Sequence, residues 1–126
     1  MKVIQISSTS PSFFLNSEKG TIEEILKDDW YAQVAKQIKK LSPKIEIECW
    51  VPEKNYKKGI SLVEDGINFR MFPSSLSIRP SMDLAFSMLK ALKEEIKKAR
   101  REEKKLIFHF HEYHSWQTYL MLYFIK

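Results

Sequence analysis

The chain predicts an open α/β fold built on a mostly parallel sheet. Three observations carry that prediction. Short apolar runs enriched in β-branched or aromatic residues occupy residues 3–7, 44–51, 67–72 and 106–111. Two stretches of helical periodicity separate them, one marked by Trp30, Val34, Ile38 and Leu41, the other by Met82, Phe86, Leu89, Leu92, Ile96 and Ala99. Strand and helix therefore alternate, as they do when crossover helices join parallel strands.

Residues 3–7 open the sheet. The polar loop after them contains Pro11, Asn16 and Gly20 and leads to a turn or short helix around residues 21–26. Asp28 or Asp29 caps the first long helix, because a short carboxylate accepts from free first-turn N–H groups, and Ser42-Pro43 stops it. In the second strand Glu46 and Glu48 alternate with Ile45, Ile47 and Cys49. That alternation predicts one wet face or a sheet edge. Residues 52–59 form a basic loop, Gly66 precedes the third strand, and residues 73–80 form a loop from which Pro80 and Ser81 start the second long helix. The run from Lys97 to Lys105 interleaves cations with Glu102 and Glu103. It reads as a solvated helix end rather than a nucleic-acid patch, and cations there suit the helix dipole. Residues 106–111 predict a buried fourth strand. Residues 115–125 are apolar on nearly every side, which predicts a buried helix. Such a helix needs cover, either from further polypeptide or from self-association through residues 115–126.

With 126 residues, the chain fits a single domain over residues 1–126. Hydrophobic residues make up 44% and charged residues 29%, an ordinary globular balance. The formal charge of +5 admits anionic ligands or peripheral contact with a membrane, but a solvated surface is the simpler reading. Cys49 is the only cysteine, so no intrachain disulfide forms; it reads as a small buried apolar residue in a reducing, cytoplasmic setting. The N-terminal apolar run is too short for a signal peptide, and no run reaches the roughly 20 residues of a membrane span. Few glycines and abundant Lys, Glu and Ile hint at a heat-adapted source.

The chemistry concentrates in the last strand. His109 and His111 are two apart, so they share a face. Open α/β sheets bind ligands beyond the carboxyl ends of their strands. His111 is therefore the candidate catalytic residue, with Glu112 and His114 shaping the pocket, and histidine suits proton transfer near neutrality. His109 reads as a buried histidine bonded to backbone. The loop Ser7-Ser8-Thr9-Ser10 offers hydroxyls, Ser8 and Thr9 above all, to a sugar or phosphate; plain solvation is the competing account. No Gly-x-Gly-x-x-Gly is present, and Lys19-Gly20-Thr21 is a chance fragment of a phosphate loop. Arg79 faces an anionic acceptor or merely solvent. Tyr113 and Trp116 stack on a sugar ring or belong to the core. His109-x-His111-x-x-His114 has the spacing of a metallo-β-lactamase motif, but Tyr113 stands where that motif has aspartate and no later histidine completes a three-ligand site. No metal is expected.

Three segments together resemble the N-terminal half of a GT-B-fold glycosyltransferase of the family-4 type. Met1-Lys2-Val3-Ile4-Gln5-Ile6 is similar to its opening strand. The helix from Asp29 to Leu41, followed by the strand from Ile45 to Val51, is similar to its next two elements. Leu106-Ile107-Phe108-His109-Phe110-His111-Glu112 resembles its strand end D-V-[IV]-H-x-H. The likeness covers essentially the whole chain. It implies a Rossmann-like three-layer sandwich that forms the acceptor side of a sugar-transferring cleft, with the nucleotide-sugar held mainly on a second domain. His111 matches the cleft-facing histidine, which would orient or polarise reacting groups, and His109 the more buried one. The Gly-Gly pair of that family is missing after the first strand, and the second domain that would carry its Glu-x7-Glu motif and nucleotide site is not among these residues. The resemblance implies no metal or other cofactor, no nucleic-acid partner, and no turnover by this chain alone. The other reading is a non-catalytic α/β module that docks through its apolar C-terminal helix.

Overall fold

A computed structural model of the chain describes residues 1–14, 21–77, 83–112 and 114–125. Asn16, Lys19, Gly20, Arg79, Pro80, Ser81, Met82 and Tyr113 lie outside the described residues. The elements follow in chain order as β1 (Lys2–Ile6), α1 (Ile22–Asp28), α2 (Trp30–Leu41), β2 (Glu46–Glu53), β3 (Ile60–Glu64), β4 (Ile67–Pro73), β5 (Leu76–Ser77), β6 (Asp83–Leu84), α3 (Phe86–Arg101), β7 (Leu106–Phe110) and α4 (Trp116–Ile125). A 3-10 turn spans Pro11–Phe14.

The main sheet has five strands in the order β3-β4-β2-β1-β7. All neighbours pair in parallel except β3, which pairs antiparallel with β4. Leu26, Tyr31, Ala32 and Ala35 pack on Ile47, Cys49 and Val51 on one face. Met88, Leu89, Leu92 and Met121 pack on Ile4, Ile6 and Trp50 on the other. The result is an α/β architecture with helices on both faces of a mostly parallel sheet, compatible with a Rossmann-like sandwich.

Local chemistry explains most boundaries. Thr21 and Glu24 form a reciprocal capping box: the Glu24 N–H donates to the Thr21 hydroxyl at 3.2 Å and the Thr21 N–H to the Glu24 carboxylate at 2.8 Å. Thr21 in the phosphate-loop-like string is thus a helix cap. Asp29 caps α2 by accepting from the Trp30 N–H at 2.7 Å.

Several expectations are corrected. β2 is neither wet nor an edge, since β1 and β4 flank it. Glu48 is buried and accepts from the Lys2 ammonium at 2.8 Å and the Trp50 indole at 2.6 Å. The alternating glutamates report an internal ion cluster. Residues 60–64 form a strand the sequence reading passed over. Asp65 and Gly66, with φ of 51° and 72°, turn it back into β4 as a two-residue hairpin. The buried stripe of α2 is Tyr31, Ala32 and Ala35, while Trp30 is 50% and Leu41 84% exposed. Helix α3 starts at Phe86 rather than Met82, because Asp83–Leu84 pairs with Leu76–Ser77 in a small ribbon.

The last two elements depart furthest from expectation. β7 is an edge strand rather than a buried one, and Ile107 and His109 on its α2-side face are exposed. Helix α4 is inverted: Gln117, Thr118 and Met121 are buried, whereas Trp116, Tyr119 and Tyr123 point outward. Gln117 accounts for part of the inversion. Its amide oxygen accepts from the Ala85 N–H at 3.0 Å and ties α4 to the start of α3. Among the described residues no helix is long and apolar enough to cross a membrane.

Candidate functional site

Chain direction locates the site. β1 leads through α2 to β2 over one face, and β4 leads through α3 to β7 over the other. The two halves of the winding diverge between β1 and β7. In an open α/β sheet this switch point, at the carboxyl ends of the strands, is where the connecting loops splay apart and leave a crevice. The segments that leave the strands there are residues 7–12 after β1, and His111 and Glu112 after β7.

His111 sits at that crevice. Its N–H donates to the Ile6 carbonyl at 3.0 Å and holds it one residue past the end of β7. The ring turns to the α2 side, where Nε2 is 2.6 Å from the Gln5 amide oxygen. With that oxygen accepting, the tautomer assigned from the contact carries its proton on Nε2 and leaves Nδ1 bare. Nδ1 is buried and has no partner among the described residues. Burial, and secondarily the neighbouring His109, pushes the His111 pKa down to about 4. At pH 7 the ring is therefore neutral. A neutral ring in this position presents an oriented dipole and a hydrogen-bonding edge.

Two further rings flank it. Trp30, at the first turn of α2, meets His111 at right angles with centroids 4.1 Å apart. His109, on the same strand face, lies 4.3 Å away. His109 is exposed, so its expected burial is corrected: of the two histidines, His111 is the sheltered one. The physical reason is the edge position of β7, which among the described residues pairs only with β1.

Glu112 organises the β1 loop. One carboxylate oxygen accepts from the Ser7 hydroxyl at 2.8 Å and from the Thr9 hydroxyl at 3.4 Å, and the other from the Ser8 backbone N–H at 2.8 Å. Donors that would otherwise be available to a bound anion are taken by a carboxylate of the chain itself. Ser8 is fully buried; its hydroxyl contacts Ser115 at 2.6 Å and Thr118 at 3.2 Å. The far end of the loop is held by buried Glu53, which accepts from the Ser12 N–H at 3.0 Å and the Asn55 N–H at 2.9 Å.

Of the residues singled out from sequence, His111, Glu112 and Thr9 meet at the crevice. Ser8 faces the interior, and His114 is exposed in the turn before α4. Gln5, Trp30, Glu53 and Thr118 went unnoticed. Gln5 had one signal, an amide in an otherwise apolar strand, but only the β1–β7 register, which pairs it with His109, gives it a partner. Among the described residues no group of three or more His, Cys, Asp or Glu is placed to hold a metal ion. Cys49 is buried and its thiol is pushed up to about 12 by burial, which makes it inert.

Replacing Glu112 with Gln puts an NH2 against one set of these donors. We expect a loss of about 1–3 kcal/mol in urea unfolding. The Ser8 amide should also exchange faster; unchanged exchange would show that the carboxylate does not hold the loop.

Comparison with known proteins finds no matching family, no matching curated protein and no matching solved structure.

Proposed function

We propose that this chain is the acceptor-side domain of a GT-B-type glycosyltransferase, which moves a sugar from a nucleotide-sugar to an acceptor and needs a second domain for turnover. The observation that carries this reading is the His111 ring, held by Gln5 just past the carboxyl end of β7 at the β1/β7 switch point. His111 orients the reacting hydroxyl or the transferred sugar, and Thr9 and Glu112 line the crevice beside it. The internal carboxylate of Glu112 disfavours a diphosphate at the β1 loop. The donor's charge then falls to basic side chains or a helix N-terminus on other polypeptide. No cofactor is assigned.

The test is to assay the complete reading frame that encodes this chain for release of nucleoside diphosphate from nucleotide-sugars in the presence of saccharide acceptors. Transfer that depends on the acceptor supports the reading. Failure with every common nucleotide-sugar overturns it.

One observation favours a second reading, docking without catalysis. Trp116, Tyr119, Leu122, Tyr123 and Phe124 make an exposed apolar face on α4, and such faces mark contact surfaces.

A further inference from the structure

We propose that Trp30, His109 and His111 form a subsite for a neutral saccharide ring, with Trp30 as the stacking platform. The proposal rests on the sugar-transfer reading and deepens it by naming the acceptor's subsite.

The three rings form a row from the N-terminus of α2 across the open face of β7, with successive centroids 4.1 and 4.3 Å apart. Trp30 is half exposed although it is the largest side chain on α2, and Tyr31 fills the core in its place. Half of an indole in water forgoes burial that a nearby core would reward. Its backbone is held by the Asp29 cap on the Trp30 N–H, and its indole lies at right angles to the His111 ring. A pyranose has an apolar C–H face that stacks on an indole and a rim of hydroxyls that needs hydrogen-bonding edges. The exposed His109 imidazole supplies such an edge.

Charge decides between a neutral sugar and a nucleotide. The Asp29 carboxylate caps the Trp30 N–H and the Glu112 carboxylate holds the Ser8 N–H, and Gln5 and the half-buried His111 ring add no positive charge at pH 7. A phosphate placed here would meet the Asp29 and Glu112 carboxylates. A neutral ring meets no such penalty.

The test is an NMR titration of the 126-residue chain, observed at its three indole N–H groups, with maltose and with the methyl glycosides of glucose, galactose and mannose. Trp50 is buried and Trp116 is exposed on α4, so both serve as internal controls. The expected result is a saturable shift of Trp30 alone, with a dissociation constant on the order of 1–10 mM. Trp30→Ala should weaken binding, read at the histidine ring protons, by about tenfold or more, and Trp30→Phe by less. No shift at Trp30, equal shifts at Trp116, or a shift with uridine monophosphate instead of sugars would overturn the subsite. Transfer by the complete protein that Trp30→Ala leaves unchanged would remove the subsite and keep the transferase. Sugar binding at Trp30 without any transfer would do the reverse.

Discussion

Lys2→Met should cost about 3–5 kcal/mol of folding stability. The Lys2 ammonium lies 2.8 Å from Glu48, 2.9 Å from Glu95 and 3.2 Å from Glu46. Its side chain and that of Glu48 are each 8% exposed, and Glu95 is 15% exposed. Burial opposes the charge on Lys2, but its hydrogen bonds to Glu48 and Glu95 overcome it and hold the ammonium pKa above its usual value. Burial likewise opposes the Glu48 carboxylate, and Lys2 and Trp50 hold it below the usual range. Removing the cation strands two sheltered carboxylates, although Arg70 stays 3.6 Å from Glu48. Glu46 is 53% exposed and contributes little. For a chain of this size the loss corresponds to a fall in Tm of roughly 10–20 °C. In the double variant K2M/E48Q the uncompensated charge on Glu48 is gone, so its loss should be smaller than that of Lys2→Met alone. Additive losses would show that the cluster is not coupled.

His111→Ala in the complete protein should lower transfer about a hundredfold or more, the usual cost of losing one positioned polar group at a reacting centre. Its stability at pH 7 should change little by comparison. The folded ring has a depressed pKa of about 4, against about 6.5 unfolded. Between those values the unfolded chain binds the extra proton. The histidine therefore costs no stability above pH 6.5 and progressively more as pH falls toward 4. Allowing for solvent around a half-buried ring, the difference is about 2–3 kcal/mol. Urea titrations of wild type and His111→Gln at pH 7 and pH 4 measure it: wild type should lose that much more on acidification. Parallel pH slopes would mean the ring is freely solvated. The transfer rate of the wild type should show no inflection near pH 6.5 from this residue. Such an inflection would restore His111 as a proton shuttle.

Particular residues mark how far sequence alone reaches. Four strands and both long helices were legible because their apolar periods are strong, and the place of His111 just past the last strand was legible because the apolar run stops there. The hairpin partner β3 was missed although Asp65-Gly66 is a turn signal. Its five residues are half solvated on an edge and carry little apolar pattern. The sequence implied a buried C-terminal helix, yet α4 buries Gln117 and Thr118 and exposes its aromatics. Hydrophobicity says that a surface needs cover and nothing about where the cover is.

Trp30 and Glu48 carry the same lesson in opposite directions. One is apolar and half exposed, the other charged and buried. A periodic pattern determined which local elements form, because backbone hydrogen bonding and side-chain alternation act within a few residues. Only the tertiary structure decided that Lys2 meets Glu95, that Gln5 orients His111, and that Glu112 closes the β1 loop. Each of those contacts joins residues about a hundred positions apart. Their energies depend on strand order and burial, which no local stretch of chain encodes.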